Sequence, residues 1–285
     1  MRQLEEIAGL RAAIRQWRQN GETIVFVPTM GNLHAGHIEL VKRAKTLGQK
    51  TVVSIFVNPL QFGPNEDFAA YPRTLEQDRE KLRAAGVDLL FTPTAAAVYP
   101  QGLQAATRVE VSALSDILCG AFRPGHFAGV ATVVAKLFNL VQPDVAVFGK
   151  KDYQQWRLIE IMVRDLAFPV TIIGVETVRE ADGLAMSSRN QYLQAQERQL
   201  APELYRCLSR IRVEIESGNR NFTSLESGAI RSLENMGFKP QYVEIRSAHD
   251  LSRPTADEAL VVLAAAFIGK TRLIDNLEII PKQRL

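Results

Sequence analysis

The sequence predicts an α/β chain: a doubly wound parallel sheet, then a second, smaller α+β domain. Three observations predict it. Apolar, β-branched runs alternate with helix-patterned segments from Thr23 to Val175, the order of a parallel sheet covered by helices on both faces. The segments just after these runs are rich in Pro, Gly, Asn and charged side chains, as loops at the carboxyl ends of parallel strands are. After Val175 the order becomes helices first and then three strands, the pattern of an α+β unit. That change sets a boundary near Thr177 and domains over 1–177 and 178–285.

In chain order, residues 7–19 form an amphipathic helix closed by Asn20-Gly21. Thr23-Ile24-Val25-Phe26-Val27 reads as a buried strand, and residues 38–45 carry apolar side chains at helical spacing. The strand pattern returns over 50–57 and breaks at Asn58-Pro59-Leu60-Gln61-Phe62-Gly63-Pro64-Asn65. A helix is expected over 74–85 with Thr74 as its N-cap, then a short strand over 87–91 and another over 107–111. Arg123-Pro124-Gly125-His126-Phe127 leads into a strongly apolar helix over 128–140. A strand at 144–148 ends in Gly149-Lys150-Lys151-Asp152, which opens a helix through Arg164; residues 170–175 form the last strand of the alternating region. Beyond it, Glu180-Ala181-Asp182-Gly183 turns the chain. Residues 186–190 follow, then one long helix runs to about Ser217, a second pattern covers 224–237, and strands follow over 241–246, 260–265 and 271–277.

With 285 residues, 46% of them hydrophobic and 23% charged, the chain can bury one large core and a smaller one. A net charge of +3, evenly spread, gives no basic stripe for nucleic acid and no patch for a membrane surface. The first residues lack the apolar segment of a signal peptide, and no run approaches the ~20 apolar residues that span a bilayer. Cys119 and Cys207 lie far apart in sequence, so neither a disulfide framework nor a zinc ribbon is expected. Both read as structural, and a reducing cytoplasm is the default compartment.

The chemistry begins where the first alternating strand meets its helix. Val27-Pro28-Thr29-Met30-Gly31-Asn32-Leu33-His34-Ala35-Gly36-His37 sets two glycines in a tight turn between them. A helix N-terminus there offers unpaired backbone N–H groups and a positive dipole end to an anion, and the glycines let a ligand approach the backbone. His34 and His37, two of the four histidines, sit one turn apart; both can donate to phosphate oxygens and titrate near neutral pH. A zinc pair is the rival use, but no Cys/His/Asp cluster nearby supplies further ligands. Downstream, Met186-Ser187-Ser188-Arg189-Asn190 offers hydroxyls and a guanidinium fork for phosphate, and also reads as a Ser N-cap. His34/His37, Asn58/Gln61 and Lys151/Asp152 all follow expected strand ends, so they are expected on one rim of the sheet.

H-x-G-H with a Met-Ser-Ser-Arg-Asn segment resembles the Rossmann-like nucleotidylyltransferase superfamily, which includes class I aminoacyl-tRNA synthetases. Longer blocks narrow this. The stretch 27–37, Ser-Ile-Phe-Val-Asn-Pro-Leu-Gln-Phe (54–62), Tyr-Pro-Arg-Thr (71–74), Arg-Pro-Gly-His-Phe (123–127), Phe-Gly-Lys-Lys-Asp-Tyr-Gln-Gln (148–155) and Met-Ser-Ser-Arg-Asn (186–190) are similar, in order, to the pantothenate synthetase family. The resemblance implies a Rossmann-like nucleotide- and pantoate-binding domain with a smaller C-terminal lid. It implies that ATP activates pantoate as a pantoyl-adenylate, that pyrophosphate leaves, and that the β-alanine amine then displaces AMP.

Roles implied by the resemblance fall on matching positions. Met30, Gly31, Asn32, Leu33, His34, Ala35, Gly36 and His37 would line the ATP site, with His37 as proton donor. Gly149, Lys150, Lys151 and Asp152 would form a second ATP segment, Val178 would meet adenine through its backbone, and Met186, Ser187, Ser188 and Arg189 would form a closing flap. Gln61, with Asn58 beside it, would hold pantoate and then β-alanine; Gln155 would bind pantoate from the opposite wall. His34, His37, Lys151 and Arg189 would neutralise growing phosphate charge, with Mg2+ carried by ATP and held mostly by phosphate oxygens and water rather than by protein ligands. A homodimer is also implied. Both lysines of the wider Lys-Met-Ser-Lys-Ser pattern are missing, so flap charge rests on Arg189. Asp78 reads as a solvated helix residue that could alternatively order magnesium's waters. Arg123 and His126 could meet the β-alanine carboxylate or pyrophosphate, or fix their loop; His249 reads as a surface residue. The rivals are a nucleotidylyltransferase that makes a nucleotide product, which would lack the Asn58/Gln61 and Gln155 set, and a tRNA-binding relative, which would need a basic second domain.

Overall fold

Strand β2 (Ile24–Thr29) carries four consecutive residues, Ile24 to Val27, with no exposed surface, which is possible only where both faces of a sheet are covered. In the computed structural model, which describes residues 1–64, 66, 68–255 and 258–280, β2 lies inside a six-stranded sheet. The other strands are β1 (Arg2–Leu4), β3 (Lys50–Ile55), β4 (Leu89–Phe91), β5 (Val145–Gly149) and β6 (Thr171–Val175). Their order is β1-β4-β3-β2-β5-β6, and every pairing is parallel. From β2 the chain winds outward through β3 and β4, then returns to β5 on the other side. The switch point therefore falls between β2 and β5, where parallel sheets bind ligands beyond their carboxyl ends.

The helices are α1 (Ile7–Gln19), α2 (Ala35–Lys45), α3 (Leu75–Ala84), α4 (Ala95–Val98), α5 (Ser112–Ser115), α6 (Cys119–Phe122), α7 (His126–Val141), α8 (Tyr153–Asp165), α9 (Ala195–Leu200), α10 (Glu203–Glu216) and α11 (Phe222–Asn235). Period-two alternation along β2 sends Val25 and Val27 to one face, where they join Val41 and Ala44 of α2 and Leu82 of α3. Phe26 points the other way and meets Phe138 of α7 edge-on, with ring centroids 6.4 Å apart. Helix α7 is apolar almost all round and buried along nearly its whole length.

The chain divides into two compact units, 1–150 with 158–176, and 151–157 with 177 onward. In the second unit β7 (Lys239–Ser247), β8 (Leu260–Ile268) and β9 (Thr271–Ile279) form an antiparallel sheet in the order β7-β8-β9. Leu204, Leu208 and Ile211 of α10 and Ala229 and Leu233 of α11 build its core with Val243, Val262 and Ala264.

Two expectations differ from what forms, and one strand was not anticipated. Residues 107–111 are not a strand; the Val109 N–H donates to the Thr132 hydroxyl of α7 at 2.9 Å instead of to a sheet neighbour. The place beside β4 is taken by β1, three residues too short to show a period. The long helix expected after Asn190 and ending near Ser217 is broken into α9 and α10, because Pro202 has no N–H to continue a helix and becomes the N-cap of α10; a 3-10 turn (Ser188–Tyr192) precedes them. Asn65, the last residue of the expected loop after β3, lies outside the described residues.

Candidate active site

After β2 the chain turns through Gly31 (φ +82°) and Asn32 (φ +50°). Both lie in the left-handed region, which glycine occupies freely and asparagine tolerates. A Cβ on Gly31 would come within 3.0 Å of the Ile55 side chain and 3.2 Å of an Asp78 carboxylate oxygen, so the turn is packed against its support. That support is Asp78, on α3 and fully buried, whose carboxylate accepts from the N–H groups of Asn32 and Leu33, each at 2.8 Å. Thr74 sits at the N-cap position of α3, but its hydroxyl serves Asp78 (3.2 Å) rather than the helix end. Lys81 Nζ donates to the Leu33 carbonyl at 2.6 Å. The expectation of Asp78 as a solvated residue is therefore wrong: it organises the turn.

Helix α2 begins with His34 as N-cap. Gly36 N–H donates to His34 Nδ1 (3.1 Å), and His34 N–H donates to His37 Nδ1 (3.3 Å). The rings lie with centroids 4.1 Å apart. The helix end is thus not the bare row of N–H groups expected, since those of Asn32, Leu33, His34 and Gly36 are engaged within the protein. The same bonds fix the tautomer: with Nδ1 accepting, each neutral imidazole carries its proton on Nε2.

Beyond β3, a 3-10 turn (Pro59–Gln61) presents Gln61. Gln61 Oε1 accepts from Asn58 Nδ2 (3.2 Å), and its Nε2 donates to Met30 Sδ (2.9 Å), so the amide is oriented and the turn touches the one that follows β2. Asn58, 1% exposed, has its whole amide engaged: Nδ2 also donates to the Gly129 carbonyl (3.1 Å), and Oδ1 accepts from Leu60 N–H (3.3 Å) and the Tyr99 hydroxyl (2.8 Å). Burial pushes the Tyr99 phenol well above its usual value, keeping it a donor. The turn sits so close to α7 that a Cβ on Gly129 would lie 2.3 Å from the Leu60 carbonyl oxygen.

A polar chain backs this turn. His126 Nδ1 donates to the Gln61 carbonyl (2.7 Å), a group that can only accept, so its Nε2 accepts from Arg123 Nη1 (2.9 Å). Arg123 forks onto Glu66, Nε to Oε1 at 2.7 Å and Nη2 to Oε2 at 2.6 Å. Partial burial pushes the Glu66 carboxyl up, but the hydrogen bonds and charge of Arg123 oppose it, and the carboxyl is held below the usual value. Of the uses open to Arg123 and His126, the structure gives them that of fixing the loop.

The first unit also holds Gly149 and Lys150 at the end of β5, where Lys150 Nζ pairs with Glu176 (2.6 Å). In the second unit, Lys151 Nζ lies 3.8 Å from Asp152 Oδ2, and Gln155 is half-buried in the first turn of α8. Val178 accepts from Met186 N–H at 2.9 Å, closing a hairpin with the Arg179–Ala185 bridge. Ser187 caps the 3-10 turn that carries Ser188 and Arg189, its Oγ accepting from Arg189 N–H (3.2 Å), as the N-cap alternative anticipates. Met186 to Arg189 are all partly exposed. Arg157 donates to the His249 carbonyl, and both cysteines are buried, Cys207 with its thiol raised by burial.

The family model described as pantoate-beta-alanine ligase matches residues 2–278. The chain belongs to that family. A pantothenate synthetase of Shewanella amazonensis is 59% identical over 269 residues, covering 94% of this chain and 95% of that one. One of Alteromonas mediterranea is 54% identical over 280 residues, covering 98% and 99%. Among solved structures, pantothenate synthetase from Thermus thermophilus matches with a TM-score of 0.91 at 48% identity, over 99% of this chain and 100% of that chain. The ligase from Francisella tularensis, solved with beta-gamma ATP and beta-alanine, matches with a TM-score of 0.82 at 35% identity over 97% of each. For a pantoate–β-alanine ligase, the groups that sequence reading missed are supports: Asp78 under the turn, Tyr99 and Gly129 behind Asn58 and Gln61, and Glu66 behind Arg123. Only Asp78 carried a signal, its place in the first turn of α3 four residues after Thr74, and that spacing fits an ordinary helix equally well.

Proposed function

We propose that this ligase joins pantoate to β-alanine in two ATP-driven steps. The pantoate carboxylate attacks the α-phosphorus of ATP, the bond to the β,γ-diphosphate breaks and pyrophosphate leaves. The β-alanine amine then attacks the acyl carbon, the acyl–phosphate bond breaks, AMP leaves with the electron pair, and the amine loses a proton. The first step needs two anions held together and the departing charge neutralised more than it needs covalent help. Nε2–H of His34 and His37 would donate to phosphate oxygens, His37 to the developing pyrophosphate. Lys151 and Arg189 would carry the remaining charge. Val178 would meet adenine, and Gly149, Lys150 and Asp152 the rest of the nucleotide, Lys150 through its backbone because its ammonium pairs with Glu176.

Gln61 and Gln155 would hold pantoate with neutral amides, which bond a hydroxy acid without placing a competing charge beside it. Asn58, fully engaged within the protein, would act by orienting Gln61. The observation that carries the reading is the bond from Gln61 Nε2 to Met30 Sδ, which sets the amide for the acid beside the turn that holds the imidazoles. Magnesium would arrive on ATP. The carboxylate nearest the turn, Asp78, has both oxygens engaged by backbone, and no group of three or more His, Cys, Asp or Glu that could hold a metal occurs among the described residues. Among the described residues, no helix is long and apolar enough to cross a membrane. Cytoplasmic location and a homodimer are part of the reading on family resemblance. The test is product release: ATP and pantoate alone should give pyrophosphate to one equivalent of enzyme with AMP retained, and β-alanine should then release AMP and pantothenate. Steady AMP formation without β-alanine would contradict it.

A further inference from the structure

The second unit contains a polar network the reaction scheme does not use. Asp275, on β9 and 3% exposed, receives both arms of Arg179, Nη1 to Oδ2 at 2.7 Å and Nη2 to Oδ1 at 2.9 Å. Arg179 is the residue after Val178, and its Nη1 also donates to the Gly183 carbonyl (3.1 Å) at the tip of the hairpin that Met186 closes. Its guanidinium lies 3.8 Å from the ring centroid of Tyr205. The neighbour of Asp275, Asn276, donates from Nδ2 to the carbonyl of Lys151 at 2.9 Å and from its backbone N–H to Asp275 Oδ1 at 2.8 Å. Burial pushes the Asp275 carboxyl up, while Arg179, the Asn276 N–H and the charge of Lys151 oppose it.

Two consecutive residues of one strand thus grip two chain segments far apart in sequence. One holds the Val178–Met186 hairpin, the other the backbone of Lys151. A buried ion pair is weak evidence of stabilisation, because an apolar set of the same volume often serves as well. What a two-armed Arg–Asp contact supplies is geometry: it sets the hairpin in one register against β9. We propose that Asn276 is a positioning residue for Lys151 and that the Arg179–Asp275 pair aligns the nucleotide-binding hairpin with it, so that β9 sets the ATP-contacting segments of the second unit for the adenylation step. The inference rests on the proposed role of Lys151 at the ATP phosphates.

The test is a double-mutant cycle on adenylation, read as single-turnover pyrophosphate release, with Asn276→Ala, Lys151→Ala and the pair. Asn276→Ala is expected to raise KM for ATP about tenfold and leave the KM values for pantoate and β-alanine within about twofold; in the Lys151→Ala background the same change should cost less than about twofold, because contacting residues that act through one another are not additive. Equal losses in both backgrounds, or a general rise in all three KM values, overturn the positioning role while leaving Lys151 in place. A Lys151→Ala enzyme with the parent's adenylation rate overturns the reading of Lys151, and this inference with it. If Asn276→Ala does not fold, Asn276→Ser replaces it in the cycle with the same expectations.

Discussion

Each imidazole at the end of β2 uses Nδ1 to accept a backbone N–H and so carries its neutral-state proton on Nε2. The pair caps its own helix, and the proposed function has these imidazoles donate to ATP phosphates. His37→Ala is expected to slow adenylate formation by about 10²- to 10⁴-fold, the usual range for a positioned proton donor, with pantoate affinity nearly unchanged. Single-turnover pyrophosphate release and pantoate titration read the two separately; equal loss in both would reject the donor role. Asp78→Asn keeps the shape but exchanges one acceptor for an NH2 facing a backbone N–H. Leaving a buried donor unsatisfied costs about 1–3 kcal/mol, so a fall in stability of that size is expected together with a weaker ATP KM. A fall in stability with ATP kinetics unchanged would show that the turn holds its form without Asp78.

Gly129 joins helix α7 to the turn after β3, because only a residue without Cβ allows the Leu60 carbonyl so near. Gly129→Ala forces a backbone contact apart, and overpacking of this kind costs roughly 1–3 kcal/mol. The displaced group is the Gln61 turn, so KM for pantoate is expected to rise by about tenfold or more while far-ultraviolet circular dichroism stays that of the parent. Behind the same turn, Glu66 has its folded pKa held below the usual 4.5. A lowered carboxyl contributes stability above its unfolded value and loses it as pH falls through the folded value. Thermal unfolding of Glu66→Gln against the parent is expected to show a parent advantage at neutral pH that shrinks once pH drops below 4.5. A constant difference across that range would remove Glu66 from the acid response.

At the scale of the whole chain, strand and helix periodicity made both sheets legible, since runs such as Ile24 to Val27 and Leu260 to Ala266 are buried along their length. The strand-to-helix turn at H-x-G-H was legible because its residue types and spacing mark it locally. Asp78 was not, because its partners lie 45 and 46 positions away and nothing in its neighbours distinguishes a buried carboxylate from a solvated one. The 107–111 stretch misled for the related reason that a hydroxyl on α7 competes for its backbone. What the two units are proposed to accomplish is the transfer of an oxygen from one substrate to another's phosphorus. Following that oxygen is the most direct measurement. With pantoate labelled with oxygen-18 in its carboxyl group, the account predicts one labelled oxygen in the phosphoryl group of AMP and none in pyrophosphate after a single turnover. Label in pyrophosphate, or unlabelled AMP formed together with pantothenate, would contradict it.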